Sequence, residues 1–174
     1  MASNGSWDPP TEPPMYETFE QWRSEWVAAR SSPVAALDLF TRACLHLERD
    51  PDLARAVLAM MVRKDVTVLD PSSPSGRLPG SEFEFYITQM TREPAIARSH
   101  LGGLPEDDYA VDPADAHIRA IEVEQSGNKA AVFMHCGGRV APTPVWLRRN
   151  KKGRWRVITG ISAMCRGIRP GGGR

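Results

Sequence analysis

The densest run of side chains that could do chemistry lies at the end of the chain. Residues 135–174 hold ten basic side chains and no acidic one: Arg139, Arg148, Arg149, Lys151, Lys152, Arg154, Arg156, Arg166, Arg169 and Arg174. Trp146 and Trp155 interleave with them. Cations beside aromatic rings hold phosphates and stack on bases, which is nucleic-acid chemistry. The same cations suit an acidic protein surface. Two plainer roles compete: charge in a hairpin turn protects a sheet edge, and Glu122 and Glu124 could face the basic strands and pair with them. Arg148, Arg149, Lys151, Lys152, Arg154 and Arg156, with Trp146 and Trp155, form the candidate partner- or anion-binding set.

Other reactive groups are scattered. His46, His100, His117 and His135 contain no pair at helical i, i+3 or i, i+4 spacing, so a helical metal pair is absent. His135 and Cys136 are adjacent, and on a strand they point to opposite faces. His117 could approach His135 across neighbouring strands; with Tyr86 these are the candidate pocket residues, against the plainer reading of a half-exposed sheet face. Glu106, Asp107, Asp108, Asp112 and Asp115 crowd one loop. Carboxylates suit calcium, but the glycine and terminal glutamate of a helix–loop–helix calcium site are missing. A solvated acidic loop with aspartate-capped turns is the simpler account. Phosphate-loop, dinucleotide and serine-elbow motifs are absent. Cys44, Cys136 and Cys165 are widely spaced and odd in number, so reduced, partly buried thiols are expected. No catalytic residue, metal or cofactor is assigned.

These groups need elements to place them. Residues 1–15 carry four prolines and read as a flexible leader, with Trp7 the one hint of docking. From Thr18 a capping box with Gln21 opens a helix whose stripe is Phe19, Trp22, Trp26 and Ala29; these aromatic residues suit core anchors, or a docking helix. Ser32-Pro33 and Asp50-Pro51 open two more helices. The proline- and glycine-rich stretch 65–80 reads as the mobile loop of the domain, with Val66, Val68 and Leu69 as a short strand or packed segment. Ser81 with Glu84 reads as a second capping box before a helix containing Phe83, Tyr86, Ile87 and Met90, and Pro94 interrupts or restarts it. From His117 the period changes to two, and four strands follow, joined by the turns at Ser126-Gly127-Asn128, residues 137–144 and Asn150-Lys151-Lys152-Gly153. Short turns make the strands antiparallel. Helices first and strands last define an α+β domain over residues 16–170, N-terminal helices packed on a C-terminal four-stranded antiparallel sheet, with residues 171–174 a glycine-rich tail. The cystatin-like and nuclear transport factor 2-like cones are loose fold analogies.

Within this frame, Gly102-Gly103-Leu104-Pro105-Glu106-Asp107-Asp108-Tyr109, Asp112-Pro113, Pro144-Val145-Trp146-Leu147-Arg148, Gly153-Arg154-Trp155 and Gly167-Ile168-Arg169-Pro170 form a pattern. Over about Tyr86 to Pro170 it resembles the uncharacterised bacterial domain family DUF6935, with its "P-E-N-x-Y" loop, "P-x-x-L-R" strand and terminal "G-I-R-x-P". Asp107 stands where the pattern has Asn, and Pro170 follows Arg169 directly. The resemblance implies no established reaction and supplies no catalytic residues.

Bulk composition is ordinary for a globular protein and discloses no activity by itself. The 174 residues are 41% hydrophobic, enough for one cored domain, and 22 basic residues against 21 acidic ones exclude a uniformly charged chain. The near-neutral total hides a polarised one, because residues 101–125 hold seven acidic side chains and one basic. No apolar run is long enough for a membrane span and no secretory signal is visible, so a cytoplasmic protein is expected. The leading expectation is a non-catalytic accessory module that binds a protein partner or a copy of itself through its basic C-terminal sheet region. A small-molecule or enzymatic pocket, and nucleic-acid binding through residues 148–156, are the alternatives.

Overall fold

The computed structural model describes residues 16–172; Trp7 and the rest of the leader, and residues 173–174, lie outside them. Three helices come first: α1 (Phe19–Ala28), α2 (Pro33–His46) and α3 (Pro51–Met61). Their starts are set locally. The Thr18 hydroxyl accepts from the Gln21 N–H at 3.3 Å while the Gln21 side chain accepts from the Thr18 N–H at 3.1 Å. Ser32 and Asp50 cap the next two with a single bond each, accepting from the Ala35 and Leu53 N–H groups, and each is followed by a proline at a position whose N–H has no helical partner. A short hairpin follows, β1 (Thr67–Leu69) with β2 (Arg77–Pro79), so the breaker-rich stretch is a two-stranded ribbon whose glycine and prolines mostly fill its turn.

Next come α4 (Ser81–Arg92) and α5 (Ala95–His100). The expected Ser81–Glu84 capping box does not form. The N-cap is Gly80, whose N–H bonds the Val66 carbonyl at 2.8 Å and where a Cβ would lie 2.8 Å from that oxygen. Packing against the hairpin therefore moves the helix start by one residue, and Glu84 pairs with Arg55 of α3 at 2.6 Å instead.

The second half is a meander, β3 (Ala120–Ser126), β4 (Lys129–Met134), β5 (Thr143–Arg149) and β6 (Trp155–Thr159), paired in sequence order and antiparallel throughout. A short turn of helix, α6 (Ile161–Met164), is the last helical element, and residues 165–172 continue beyond it. This is the α+β arrangement expected. His135 and Cys136, however, lie just beyond the end of β4 rather than on it. The helices cover one face of the sheet. Val132, Met134, Val145, Leu147 and Val157 point inward and join Leu37, Phe40, Leu58 and Met61 in one apolar core. Beyond β6 the end of α3 continues the layer, with a parallel bridge Val62–Val157 and the Arg63 N–H on the Val157 carbonyl at 3.0 Å.

A buried polar chain ties α5 to β5. His100 is 1% exposed; its Nδ1 lies 2.7 Å from the Ile96 carbonyl and its Nε2 2.7 Å from the Thr143 hydroxyl. The carbonyl only accepts, so the proton sits on Nδ1 and Thr143 donates to Nε2. Arg139 donates to the Thr143 oxygen and to the Ala163 and Arg166 carbonyls. Burial pushes the His100 pKa down to about 4. The unfolded chain, titrating near the ordinary imidazole value of about 6.5, then binds a proton that the fold refuses. The stability tied to neutral His100 is full above about pH 6.5 and drains away as the pH falls towards 4, roughly 3 kcal/mol in all. Urea denaturation across that window is expected to show this slope. In His100→Gln the slope should shrink, and an unchanged slope would remove His100 as its source.

Candidate functional site

The side of the sheet away from the helices carries the candidate site. Register places Glu124, Ala131, Trp146 and Thr159 side by side across the four strands. Glu122, Phe133 and Pro144 form the row on one side of them, and Ser126, Lys129, Arg148 and Arg156 the row on the other. Because side chains alternate faces along a strand, burying Val145 and Leu147 sends Trp146 outward, where it is 46% exposed. Trp146 stands over Ala131 in a shallow groove of about 680 Å³ that Glu122, Glu124, Lys129, Arg148 and Thr159 also line. A register shift between Trp146 and Leu147 keeps β6 in step on the inner face.

The basic set divides into two groups. Trp155 is 1% exposed, its indole N–H donating to the Arg30 carbonyl at 3.1 Å, so no base can stack on it. Arg149 lies over its ring at 5.4 Å. Arg154 and Arg156 lie over buried Trp26 at 5.6 and 5.4 Å, and Arg156 also donates to the Val62 carbonyl. Burial, and then the neighbouring Arg77 and Arg154, lower the Arg156 pKa from the ordinary arginine value. These three arginines serve as lids on tryptophans. Arg148, Lys151 and Lys152 are exposed, as is Lys129, which stands beside Arg148 in the register. The Asn150 side chain accepts from the Lys152 and Arg154 N–H groups and so builds the turn that presents the lysines. Among the described residues no ion pair joins this set to Glu122, Glu124 or the loop aspartates. That loop sits at the other end of the sheet, where Gly137, just past β4, abuts the Gly103 carbonyl. The charge asymmetry of the sequence is thus spread along the length of the strands.

Tyr86, His117 and His135 occupy different places. Tyr86 lines a small groove with Arg63, Phe83, Val157 and Ser162, in which neither histidine takes part. His117 Nδ1 lies 2.8 Å from the carboxylate of buried Asp38 on α2, whose other oxygen accepts from the Ile118 N–H at 2.8 Å, fastening the approach to β3 onto the helices. The His135 N–H bonds the Arg119 carbonyl. Among the described residues no group of three or more His, Cys, Asp or Glu is placed to hold a metal ion, and no helix is long and apolar enough to cross a membrane.

Two of the segments that carry the family resemblance, Gly102 to Tyr109 and Gly167 to Pro170, converge on a different feature, a clasp between them. Asp108 and Tyr109 are consecutive left-handed residues, φ 51° and 56°, in a region that side chains other than glycine seldom enter. This turn buries Tyr109 to 1% exposure and brings its hydroxyl to the Arg169 carbonyl. The Arg169 N–H and guanidinium hold Gly138, its guanidinium holds Gly137, and the Gly172 N–H reaches the Pro105 carbonyl at 3.2 Å. At Gly138 a Cβ would lie 2.8 Å from the Ile168 side chain and 2.9 Å from the Tyr109 hydroxyl, so any larger residue forces these groups to shift. Sequence reasoning grouped these residues by pattern and missed their contact, since nothing local links Tyr109 to Arg169.

Among the described residues, a four-stranded antiparallel sheet covered by helices on one face, open on the other, and locked by this clasp defines a small α+β domain. The chain belongs to the family described as a domain of unknown function, DUF6935, whose model matches residues 11–171. No curated protein and no solved structure matches it.

The clasp predicts a graded loss of stability. Tyr109→Phe should cost about 1 kcal/mol for the lost hydrogen bond, and Gly138→Ala about 1–3 kcal/mol for overpacking. Both should speed proteolytic trimming after residue 160. Unchanged thermal denaturation in Gly138→Ala would contradict the clasp.

Proposed function

We propose that this protein is a non-catalytic accessory module of the bacterial cytoplasm that binds a protein partner through the outer face of its sheet and the adjoining basic turn. The observation that carries the reading is Trp146, 46% exposed at the centre of a sheet face that no helix of the described residues covers. A large ring held on a rigid strand costs little entropy to bury and anchors protein interfaces more often than other side chains. Arg148, Lys151 and Lys152 beside it carry no ion-pair partner among the described residues and can steer an acidic surface.

Two observations favour a protein over a nucleic acid. Of the two tryptophans of the basic region only Trp146 offers a ring face, and Glu122 and Glu124 line the same groove, where they repel phosphates. The dispersal of Tyr86, His117 and His135 likewise speaks for binding over pocket chemistry. The three cysteines are free thiols, in keeping with a reducing compartment.

The test is affinity capture from native lysate at low and high salt. The expected result is a partner retained at low salt, weakened at high salt, and lost with Trp146→Ser and with Arg148→Glu/Lys151→Glu/Lys152→Glu. Retention of the same partners by both variants would overturn the reading.

A further inference from the structure

We propose that the partner seated on this face is a second copy of the chain, bound with the two sheets crossed at nearly a right angle; this rests on the reading of the face as a protein-binding surface. The argument is charge complementarity set by register. The groove carries two acidic side chains, Glu122 and Glu124, both on the edge strand β3, and two exposed basic ones, Lys129 and Arg148, both in the row nearest the turns. The acidic pair therefore runs along a strand and the basic pair runs across strands. Strands lie about 4.8 Å apart, and alternate residues of one strand are separated by about 6.7 Å. One pair can be brought over the other only by turning the second sheet through about 90°.

The possible two-fold axes in the interface separate cleanly. An axis parallel to the strands stacks Lys129 of each copy on Arg148 of the other. An axis perpendicular to the strands stacks β3 on β3 and opposes their glutamates. One diagonal axis places Glu122 of each copy over Glu122 of the other. The remaining diagonal lays Glu124 of each copy between Lys129 and Arg148 of the other, brings Glu122 beside Arg148, and makes the two Trp146 rings meet near the axis above Ala131. Orthogonal packing is one of the two ordinary ways in which sheets stack, and a two-fold axis makes every contact count twice. Edge-to-edge association through β3 is blocked by its own glutamates and by the irregularity between Ala120 and Glu122. A face of four short strands is small for an interface, so the dimer forms in the micromolar range and is salt-sensitive.

The experiment is sedimentation velocity of the full chain over a concentration series at low and high salt, with circular dichroism confirming the fold of each variant. The expected result is a concentration-dependent doubling of mass that weakens in high salt. Trp146→Ser, Glu124→Lys and Lys129→Glu/Arg148→Glu should each return the monomer, and Glu124→Lys/Lys129→Glu/Arg148→Glu should restore the dimer. A dimer indifferent to these variants overturns the crossed face. A chain that stays monomeric throughout the micromolar range, while Trp146→Ser still loses a salt-sensitive lysate partner, overturns the second-copy assignment and leaves the binding face standing. A monomer in which Trp146→Ser loses no partner overturns both.

Discussion

The arrangement depends on one reciprocal contact between the two halves of the chain. The indole N–H of Trp26 on α1 donates to the carbonyl of Trp155 at 2.8 Å, and the indole N–H of Trp155 on β6 donates to the carbonyl of Arg30 just after α1. Each ring is buried and each polar handle is satisfied, as a buried tryptophan requires. The pair decides which face of β6 looks inward. Paired residues share a face, so Leu147 opposite Val157 lies in the core with Val145, and Trp146 and Arg148 lie on the surface. Arg149, Arg154 and Arg156 then lie over the two rings and shield them at the sheet edge. A large part of the basic sequence signal is therefore spent on holding the fold, and a smaller part, Arg148, Lys151 and Lys152, reaches solvent.

What could be read from the sequence follows how local its cause is. Thr18, Ser32 and Asp50 cap their helices because the bond spans three residues, and the strand order followed from turns too short to allow anything but antiparallel neighbours. Ser81 misled because Gly80 answers to the Val66 carbonyl fourteen residues earlier, a contact no local rule contains. The candidate site shows the same division. Basic residues with interleaved tryptophans were visible, but strand alternation alone does not say which face is covered, so Trp146 and Trp155 looked equivalent until the Trp26 contact separated them. Lys129 carried no signal of its own; it joins Arg148 through register. His100, inconspicuous in the sequence, is the centre of a buried chain because α5 and the start of β5 meet over it.

The family pattern and the candidate face answer to different demands. The glycine pair, the Asp108-Tyr109 turn and the Ile168-Arg169 segment are used up in closing the clasp, where Gly102 is required by its positive φ, Gly103 by the approach of the Arg98 and Tyr109 carbonyls, and the tyrosine by one carbonyl. The pattern segment Pro144 to Arg148 instead spans both faces, with Val145 and Leu147 in the core and Trp146 and Arg148 outside. A scaffold locked at one end by the clasp and at its side by the tryptophan pair gives the open face a fixed shape, the preorganisation that the proposed partner would require.

Side-chain footprinting by hydroxyl radicals reads that division directly. Trp146 should oxidise readily in dilute protein at high salt and become protected when the protein is concentrated at low salt, while Trp26 and Trp155 stay unlabelled in both. Labelling of Trp155 equal to that of Trp146, or a Trp146 signal indifferent to concentration and salt, would contradict the account.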